Sequence, residues 1–480
     1  MGLHELTALE LGAALKRGEV SPREAIGAAA RRIDALQPAL NAFITVTDGP
    51  EPPADLTVSP LAGVPMAWKD NICTKGVRTT CASRMLENFI PCYDATAVER
   101  LARAGAVSMG KLNMDEFAMG STSETSWFGP VRSPWDAGRA PGGSSGGAAA
   151  AVAAGAVWYA VASDTGGSIR QPAAHCGVTG MKPTYGAVSR YGLVAHASSL
   201  DQLGPIARSA ADCAAVLDLL RGRDRRDATS RDLSGGSLLD ALTGDLRGKR
   251  IGLPAECFGE GLDPEVRRAV LEAGEVLRAR GAQVEECSLP IMDYVVPAYY
   301  VLSSAEASSN LSRYDGVRYG WRAQGAESPE ELYVRTRTEG FGPEVKRRIL
   351  LGTFVLSAGH YDAYYKRALR AKAAIGRAFD QAFRRYDLLL TPTAPTTAPR
   401  LGESLADPLE MYLGDIYTVP ANLAGLPALS MPCGFDQKGL PIGAQLMGPA
   451  LGDRAVLDAA HAFQLETDHH RKMPKGGGAP

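Results

Sequence analysis

The stretch APGGSSGGAAAAVAAG, from Ala140 to Gly155, constrains the fold of this chain more than any other part of the sequence. Two pairs of glycines enclose Ser144 and Ser145, and a small-residue segment that we interpret as a helix follows at once. Glycine costs ordering entropy, so such a run is typical either of a flexible linker or of a backbone that must pass very close to something. Two adjacent hydroxyls at a helix start, where N–H groups are unpaired, suggest chemistry.

A second turn of the same kind follows after one helix–strand unit. We expect a strand over residues 157–162, and SDTGGSIRQP comes directly after it. Consecutive N–H groups in this turn can converge on one point, which is how an oxyanion hole is built. The residues of this candidate oxyanion hole are Thr165, Gly166, Gly167 and Ser168. Each turn alone is weak evidence because Gly–Ser turns are usually plain loops, but together they favour a nucleophilic serine.

A nucleophilic serine needs a base, and a histidine is the usual one. His196 is the best placed of the seven histidines, but it lies in an apolar run with no carboxylate obviously placed to orient it. Lys69 is the alternative, because it follows the apolar GVPMAW and burial lowers the pKa of a lysine. The competing interpretation is a surface lysine paired with Asp70, although adjacent strand residues point to opposite faces.

Other classes of function find little support in the sequence. The formal net charge of −2 gives no basic footprint for autonomous nucleic-acid binding. The eight cysteines contain no C-x-x-C pair, so we expect no disulfide framework and no metal site. GAVSMGK, from Gly105 to Lys111, matches the start of a phosphate-binding loop, but Leu112 stands where a hydroxyl must hold magnesium. Nucleotide binding is therefore not expected there.

Strands and helices alternate along the chain, which is typical of an α/β protein. A helix capped by Asp263 and ended by Gly281 lies between strands expected near 249–253 and 283–288, which predicts parallel pairing. The later segments LPALSMPCG and GLPIGAQLMGP are typical of two strands joined by a turn. We therefore expect one α/β domain with a central mixed β-sheet flanked by helices on both faces.

The N-terminal part of the chain begins with a well-marked helix. Ser21 at the N-cap, Pro22 at the first helical position and Glu24 as the capping-box partner predict where it starts. We expect it to end near Leu36, ahead of Pro38.

We expect a single domain over residues 1–480. Within it, residues 1–45 are predicted to form a peripheral helical segment, and residues from about 470 to 480 a disordered tail. No secretory signal is visible, and the most apolar stretch, residues 148–162, is too short to span a bilayer. Together with thinly spread cysteines, this predicts a cytoplasmic protein without membrane contact.

Both Gly–Ser turns resemble the signature of a known enzyme family. GGSSGG followed by SDTGGSIRQPA resembles the amidase signature, and GVPMAWKDN resembles the segment that carries the lysine of that family. The spacings agree, with 75 residues from Lys69 to Ser144 and 24 from Ser144 to Ser168. The resemblance implies a Ser–cis-Ser–Lys triad that hydrolyses amides, with Ser168 as nucleophile, Ser144 as bridge and Lys69 as base. It also implies a cis peptide bond at the bridging serine.

Further segments from about residue 60 to 450, among them KLNMDEFAMGSTSETS and YTVPANLAGLPALSMPCG, are similar to the A subunits of the aspartyl/glutamyl-tRNA amidotransferases. This resemblance implies a glutaminase in a heterotrimer with B and C subunits, and no cofactor bound by this chain. Its ammonia would pass to the B subunit, which holds the tRNA and uses ATP and magnesium. That partner then converts Glu-tRNA(Gln), Asp-tRNA(Asn) or both to the amidated product.

A glutamine site needs a cation for the substrate carboxylate and an anion for its ammonium group. By local match, Arg348 in VKRRILLGT and Asp415 in YLGDIYT are the implied pair, with a one-residue ambiguity between Arg347 and Arg348. The plain alternatives are a helix-surface arginine and a turn aspartate. A stand-alone amidase acting on small or aryl amides needs no such pair, and a non-catalytic scaffold with degenerate serine loops needs no triad.

Overall fold

The computed structural model describes residues 2–49, 51–233 and 235–474, and its strands form one sheet of eleven. In chain order the strands are β1 (Phe43–Val46), β2 (Pro65–Lys69), β3 (Val107–Leu112), β4 (Tyr159–Asp164), β5 (Thr179–Lys182), β6 (Gln202–Ala207), β7 (Arg250–Pro254), β8 (Gln283–Cys287), β9 (Leu388–Pro392), β10 (Ala428–Phe435) and β11 (Pro441–Met447). Across the sheet their order is β1-β3-β2-β4-β6-β5-β10-β11-β9-β7-β8.

Helices connect and cover these strands. In chain order they are α1 (Ala8–Lys16), α2 (Pro22–Leu40), α3 (Thr96–Arg103), α4 (Gly146–Ala153), α5 (Arg170–Cys176), α6 (Ala210–Leu220), α7 (Pro264–Ala279), α8 (Val295–Leu311), α9 (Pro329–Gly340), α10 (Pro343–Leu356), α11 (Lys366–Ala382), α12 (Glu403–Ala406), α13 (Pro408–Leu413), α14 (Val419–Leu423) and α15 (Asp453–Glu466). A π-helical turn, Tyr361–Tyr365, lies between α10 and α11.

The sheet is mixed, as the sequence predicts. Strand β2 pairs in parallel with β3 and β4, and β7 pairs in parallel with β8 and β9, because helical crossovers such as α7 return the chain in the same direction. Strands β10 and β11 form the predicted late hairpin, and antiparallel pairs join the two parallel parts through β6, β5, β10 and β11. The α/β fold class is confirmed.

Helix α4 is a buried helix of alanine, glycine and one valine, and the glycine-rich stretch before it is a tight turn instead of a linker. Every residue of α4 is buried, and the helix packs against α5 and strands β2, β4 and β6. A Cβ atom at Gly147 would overlap the carbonyl oxygens of Asn113 and Ala42. The small residues thus let the helix backbone approach neighbouring backbone directly, and this places the preceding serines inside the protein.

Helix α2 starts where the sequence predicts but runs beyond Pro38, so the expected end near Leu36 is wrong. Proline removes one hydrogen bond of the last turn, and that turn survives because other bonds hold it. Asn41 closes the helix in a left-handed conformation, and its N–H donates to the carbonyl of Gln37 at 2.9 Å. The Gln37 side chain also exchanges two hydrogen bonds with the backbone of Phe43, which fixes the chain as it enters β1.

The sequence predicts a helical segment at the start of the chain and a disordered tail at its end. The first 45 residues contain α1 and α2, and they reach into β1, the edge strand that pairs with β3. In the predicted tail, residues 469–471 form a 3-10 turn in which His470 is buried. Residues 475–480, which the predicted disorder also covers, lie outside the described residues.

The packing of α4 predicts opposite effects for the same substitution in two helices. Gly147→Ala forces a methyl group onto backbone oxygens that cannot move aside, so it should destabilise the fold by about 1–3 kcal/mol. Gly376→Ala in α11 is the matched control, because nothing lies within 4 Å of the added carbon. The control should stabilise the protein by about 1 kcal/mol or less through helix propensity. Urea unfolding of both variants tests this, and equal shifts would contradict the proposed close packing.

Candidate active site

Lys69, the last residue of β2, is completely buried and points at the glycine-rich turn. Its Nζ donates to Ser144 Oγ at 2.7 Å and to the carbonyl of Ser163 at 3.3 Å. Burial lowers the pKa of Lys69 to about 7, although the nearby carboxylates of Asp115 and Asp164 favour the charged form. A substantial fraction of this amine is therefore neutral near pH 7 and able to accept a proton.

Ser144 is held rigidly in the turn between β3 and α4. The Gly143–Ser144 peptide bond is cis, as the family resemblance implies. The N–H of Gly143 donates to Gln171 Oε1 at 3.0 Å, and the carbonyl of Ser144 accepts from the N–H of Asp115 at 3.2 Å. A Cβ atom at Gly143 would overlap the Asp115 carboxylate, so only glycine fits before the serine.

Ser168 lies in the second Gly–Ser turn, between β4 and α5. It is 8% exposed, whereas Lys69 and Ser144 are fully buried, so Ser168 is the one residue of these three with surface accessible to solvent. Its carbonyl accepts from the N–H of Ser145 at 3.2 Å, which fastens the two turns together. Within the described part of the chain, no hydrogen bond joins the hydroxyls of Ser144 and Ser168. The structure therefore joins Lys69 to Ser144 through side chains, and brings Ser168 to them through the backbone.

A buried ion pair shapes the turn that carries Ser168. Both Asp164 and Arg170 are inaccessible to solvent, and Arg170 donates to the two Asp164 carboxylate oxygens at 3.0 and 3.1 Å. Burial opposes ionisation of Asp164, but the combined effect of Arg170, Lys182 and Asn422 is larger and lowers the carboxyl pKa to about 2. The same carboxylate accepts from the N–H groups of Gly167 and Ile169 at 2.9 and 3.1 Å. The turn is thus wrapped around a permanent negative charge.

The hydrogen bond between the Gly167 N–H and Asp164 corrects one part of the predicted oxyanion hole. The N–H of Gly167 is already committed to Asp164, so it cannot point at a substrate oxygen in this conformation. Among the described residues, the N–H groups of Thr165, Gly166 and Ser168 have no protein acceptor and stay candidates. Gly167 is needed for another reason: its φ is +139°, and a Cβ there would overlap the Thr418 hydroxyl.

Arg348 and Asp415, predicted as a pair, come together around a tyrosine that the sequence did not indicate. Tyr300 OH donates to Asp415 Oδ2 at 2.9 Å, and the Arg348 guanidinium carbon lies 4.5 Å from the Tyr300 ring centroid. All three residues are buried. The Arg347 side chain is 47% exposed and that of Arg348 only 3%, so burial favours Arg348 as the candidate of the two.

The charges of this pair suit a zwitterionic ligand. Burial raises the pKa of Asp415 to about 7, against hydrogen bonds from Ser121 and Tyr300 that favour the carboxylate. Arg348 stays protonated, and its Nε donates to the buried carboxylate of Glu344 at 2.6 Å. A guanidinium has five N–H donors, so the bond to Glu344 leaves donors for a second carboxylate.

The rival candidates occupy structural positions. His196 is buried, burial lowers its pKa to about 3, and neither ring nitrogen has a partner among the described residues. Lys111, from the apparent phosphate-binding loop, is buried in β3, where it lies 3.4 Å from Asp70 and donates to Thr79 Oγ1 at 2.6 Å. Asp70 thus pairs with Lys111 and not with Lys69, which agrees with the strand argument.

Sequence reasoning missed Tyr300 and the Asp164–Arg170 pair. The pair had a local signal, because an acid and a base flank the Gly–Ser turn in SDTGGSIR. Tyr300 had none, since its contact with Asp415 depends on α8 packing beside α10 and α14.

Membrane spans and metal clusters are both missing from the part of the chain that the structure describes. No helix there is both long and apolar enough to cross a membrane. The same residues contain no cluster of three or more histidine, cysteine, aspartate or glutamate side chains arranged to hold a metal ion.

Comparison with known proteins decides the family. A sequence model of the amidase family matches residues 24–457. The chain belongs to the amidase family. The matched region includes Lys69 and both Gly–Ser turns, with Ser144 and Ser168.

Relatives of this amidase are similar to it over their full length. The A subunit of glutamyl-tRNA(Gln) amidotransferase from Moorella thermoacetica is 56% identical over 488 residues, covering 99% of this chain and all of the relative. The protein of the same name from Lachnospira eligens is 54% identical, covering 97% of this chain and 98% of the relative. The crystal structure of the corresponding A subunit from Thermotoga maritima has a TM-score of 0.82 and 41% identity, covering 100% of this chain and 98% of that one.

The Asp164–Arg170 pair predicts a strong effect of a single neutral substitution. Asp164→Asn leaves the buried guanidinium of Arg170 without a counter-charge, which should cost about 3–5 kcal/mol of unfolding free energy. Asp362→Asn is the control, because Asp362 forms an ion pair with Lys366 on the surface. Urea unfolding at pH 7 should show a large shift for the first variant and little for the second.

The pH dependence gives a second readout of this pair. The depressed pKa of Asp164 means that its contribution is complete above its unfolded pKa of about 3.9 and is lost as the pH falls towards 2. Stability of the wild type should therefore fall more steeply between pH 4 and 2 than that of Asp164→Asn. Parallel curves would assign the acid sensitivity to other carboxylates.

Proposed function

We propose that this chain is the glutaminase component, the A subunit, of a tRNA-dependent amidotransferase. It hydrolyses glutamine with Lys69, Ser144 and Ser168 and supplies ammonia to a partner that amidates Glu-tRNA(Gln), Asp-tRNA(Asn) or both. The relatives from Moorella thermoacetica and Lachnospira eligens are named as A subunits of glutamyl-tRNA(Gln) amidotransferase, and the similarity extends over nearly their whole length. Both facts support this assignment.

The proposed reaction uses the Lys69–Ser144 hydrogen bond and the neighbouring Ser168. Ser168 Oγ attacks the side-chain amide carbon of glutamine, and its proton passes through Ser144 Oγ to the neutral amine of Lys69. The protonated lysine returns that proton through Ser144 to the leaving nitrogen, which departs as ammonia. Water then attacks the γ-glutamyl ester on Ser168, and glutamate is released with the serine restored. The relay requires the Ser168 hydroxyl to rotate onto Ser144, a closure that substrate binding commonly brings about.

Charge that develops on the amide oxygen needs donors that are already in place. The N–H groups of Thr165, Gly166 and Ser168 belong to one turn and, with no acceptor among the described residues, can serve as the oxyanion hole. Thr165 Oγ1 donates to the buried carboxylate of Asp201 at 2.7 Å, and Thr418 Oγ1 donates to the carbonyl of Gly166 at 2.6 Å. These bonds hold the turn from outside, so the donors need little reorganisation during the reaction.

The observation that carries the choice of substrate is the buried group formed by Arg348, Tyr300 and Asp415. A cation and an anion bridged by one tyrosine suit the carboxylate and ammonium of a free amino acid. A stand-alone amidase acting on an apolar or aryl amide would have to bury both charges without a partner from the substrate, which is costly. The group therefore favours glutamine over the alternative substrates of the family.

Transfer to tRNA is assigned to partners. The near-neutral chain has no basic footprint, so we propose that a B subunit holds the tRNA and uses ATP and magnesium, with a C subunit completing the heterotrimer. This chain binds no cofactor in the proposal and acts in the cytoplasm.

The decisive experiment combines this chain with B and C subunits and follows two products. Added glutamine should yield glutamate, and mischarged tRNA should be amidated only when ATP is present. Hydrolysis of diverse simple amides without partners, together with no response to glutamine, would overturn the proposal in favour of a stand-alone amidase.

Substitution of Ser168 and substitution of His196 should have opposite effects on activity. Ser168→Ala should lower glutaminase kcat by at least about a thousandfold and abolish trapping of the acyl-enzyme. His196→Ala should keep most of the activity, because the ring contacts no carboxylate and its pKa is far below 7. Steady-state ammonia release and acid-quench labelling measure both. An inactive His196 variant that is still folded would indicate a Ser–His enzyme.

The pKa of Lys69 predicts an acid limb in the pH profile. With a pKa of about 7, the neutral base disappears below that pH, so kcat/KM for butyramide should fall about tenfold per pH unit. Glutamine should show a steeper fall, because Asp415 must also be ionised and its pKa is also about 7. Asp415→Asn is the control that restores the shallower slope on glutamine. A flat profile between pH 5 and 8 would exclude Lys69 as the base.

A further inference from the structure

Tyr412 touches both ends of the charged group without belonging to either. It lies in α13, three residues before Asp415, and its ring stacks on that of Tyr300 with centroids 4.0 Å apart and planes at 28°. The guanidinium carbon of Arg348 lies 4.9 Å from the Tyr412 ring centroid and 4.5 Å from that of Tyr300. The arginine therefore lies alongside a stacked pair of tyrosines, where cation–π attraction favours it.

The hydroxyl of Tyr412 reaches the residue that orients Arg348. Glu344 is buried one helical turn before Arg348 in α10, and its Oε1 accepts from Arg348 Nε at 2.6 Å and from Tyr412 OH at 3.0 Å. Arg347 donates to its other oxygen. One carboxylate oxygen thus holds the arginine and the tyrosine in a fixed relation.

The backbone of Tyr412 holds the other charge. Its carbonyl oxygen accepts from the N–H of Asp415 at 3.3 Å, and the N–H of Thr418 donates to the carbonyl of Asp415 at 3.0 Å. Because Tyr412 is anchored to Glu344 by its hydroxyl and to Tyr300 by its ring, the turn that presents Asp415 is anchored with it.

Resting on the proposed glutaminase function, we propose that Tyr412, through Glu344, sets the separation between Arg348 and Asp415 and is a positioning residue for α-amino-acid amides. Tyr412 carries out no chemistry. It makes the site selective, because an amide without the α-carboxylate and α-ammonium gains nothing from a correctly spaced pair.

The surroundings of Tyr412 show why this anchor is needed. Its helix has only six residues, and Leu409 and Leu413 on the same helix are 59% and 46% exposed. A segment so short has little stability of its own, so the half-buried Tyr412 supplies its attachment to the site.

The test compares two substrates that share the reacting amide. Glutamine carries both α-charges, whereas butyramide has the same side-chain carboxamide and neither charge. In Tyr412→Phe, which keeps the ring and removes the bond to Glu344, the ratio of kcat/KM for glutamine to that for butyramide should fall about tenfold. The fall should appear in KM for glutamine and not in kcat. Tyr412→Leu, which also removes the stack, should lower the ratio further.

Further variants separate positioning from a general structural role. Glu344→Gln should lower the same ratio, and the double variant should fall short of the summed effects, because both substitutions remove one interaction. Leu409→Ala, an exposed residue of the same helix, should leave the ratio unchanged. Binding of intact glutamine to the Ser168→Ala background should weaken with Tyr412→Phe by the same factor as KM, independently of turnover.

The outcomes distinguish the two proposals. If the wild type favours glutamine but Tyr412→Phe leaves glutamine KM and the substrate ratio unchanged, the positioning role is wrong and the glutaminase function stands. If both substrates lose kcat/KM equally, Tyr412 is only structural. If the wild type hydrolyses butyramide and ignores glutamine, the proposed function itself fails. The assay uses the full chain together with its B and C partners.

Discussion

The buried contact between Asp164 and Arg170 belongs to a network that joins the turn of Ser168 to distant parts of the chain. Arg170 begins α5 and binds the last residue of β4, so the pair closes the turn that presents Ser168. The remaining donors of Arg170 reach the carbonyl of Thr418 at 2.8 Å and the side chains of Asn422 and Gln445 at 2.6 Å each. One guanidinium therefore ties the turn of Ser168 to α14, to β11 and to the segment that carries Asp415. Such a network is stabilising only when every member is satisfied.

Two opposing effects set the pKa of Lys69: burial lowers it, and nearby carboxylates raise it. Complete burial alone would lower the pKa of Lys69 far from its usual value, and the surrounding acids bring it back to about 7. Burial raises the pKa of Asp115 and of Asp201 to about 6, so these groups also lie near their own titration range. Asp164 differs because Arg170 is in direct contact with it. Asp164 thus keeps a fixed negative charge, whereas the charges of Lys69, Asp115 and Asp201 respond to their neighbours.

Those parts of the site that come from consecutive residues could be predicted from the sequence. The two Gly–Ser turns, the apolar approach to Lys69 and the capping box of α2 are local patterns, and each lies where the pattern placed it. Asp263 and its helix, with parallel strands on either side, are equally visible in the sequence. The strand before the second turn begins at Tyr159 and not at residue 157, since strand ends depend on pairing with β2 and β6.

What the sequence could not indicate depends on contacts between distant segments. Tyr300 and Tyr412 meet only because α8, α10 and α13 converge, and no spacing in the chain reports that. The hydrogen bond from the Gly167 N–H to Asp164 depends on the path of the turn in three dimensions. A run of glycines indicates a flexible backbone, but it does not indicate where the N–H groups point. The missing N–H of Pro38 alone predicts a helix end, whereas the Gln37–Phe43 bonds decide where α2 stops.

Lys69, Ser144 and Ser168 differ in their exposure to solvent, and this limits where a proton can go in the proposed reaction. Ser168 meets the solvent, while Ser144 and Lys69 have no accessible surface. In the proposed reaction, a proton that reaches Lys69 has no water to which it can escape, and its one route out is back through Ser144. The hydrogen that the nucleophile gives up is then the one that the departing ammonia carries away.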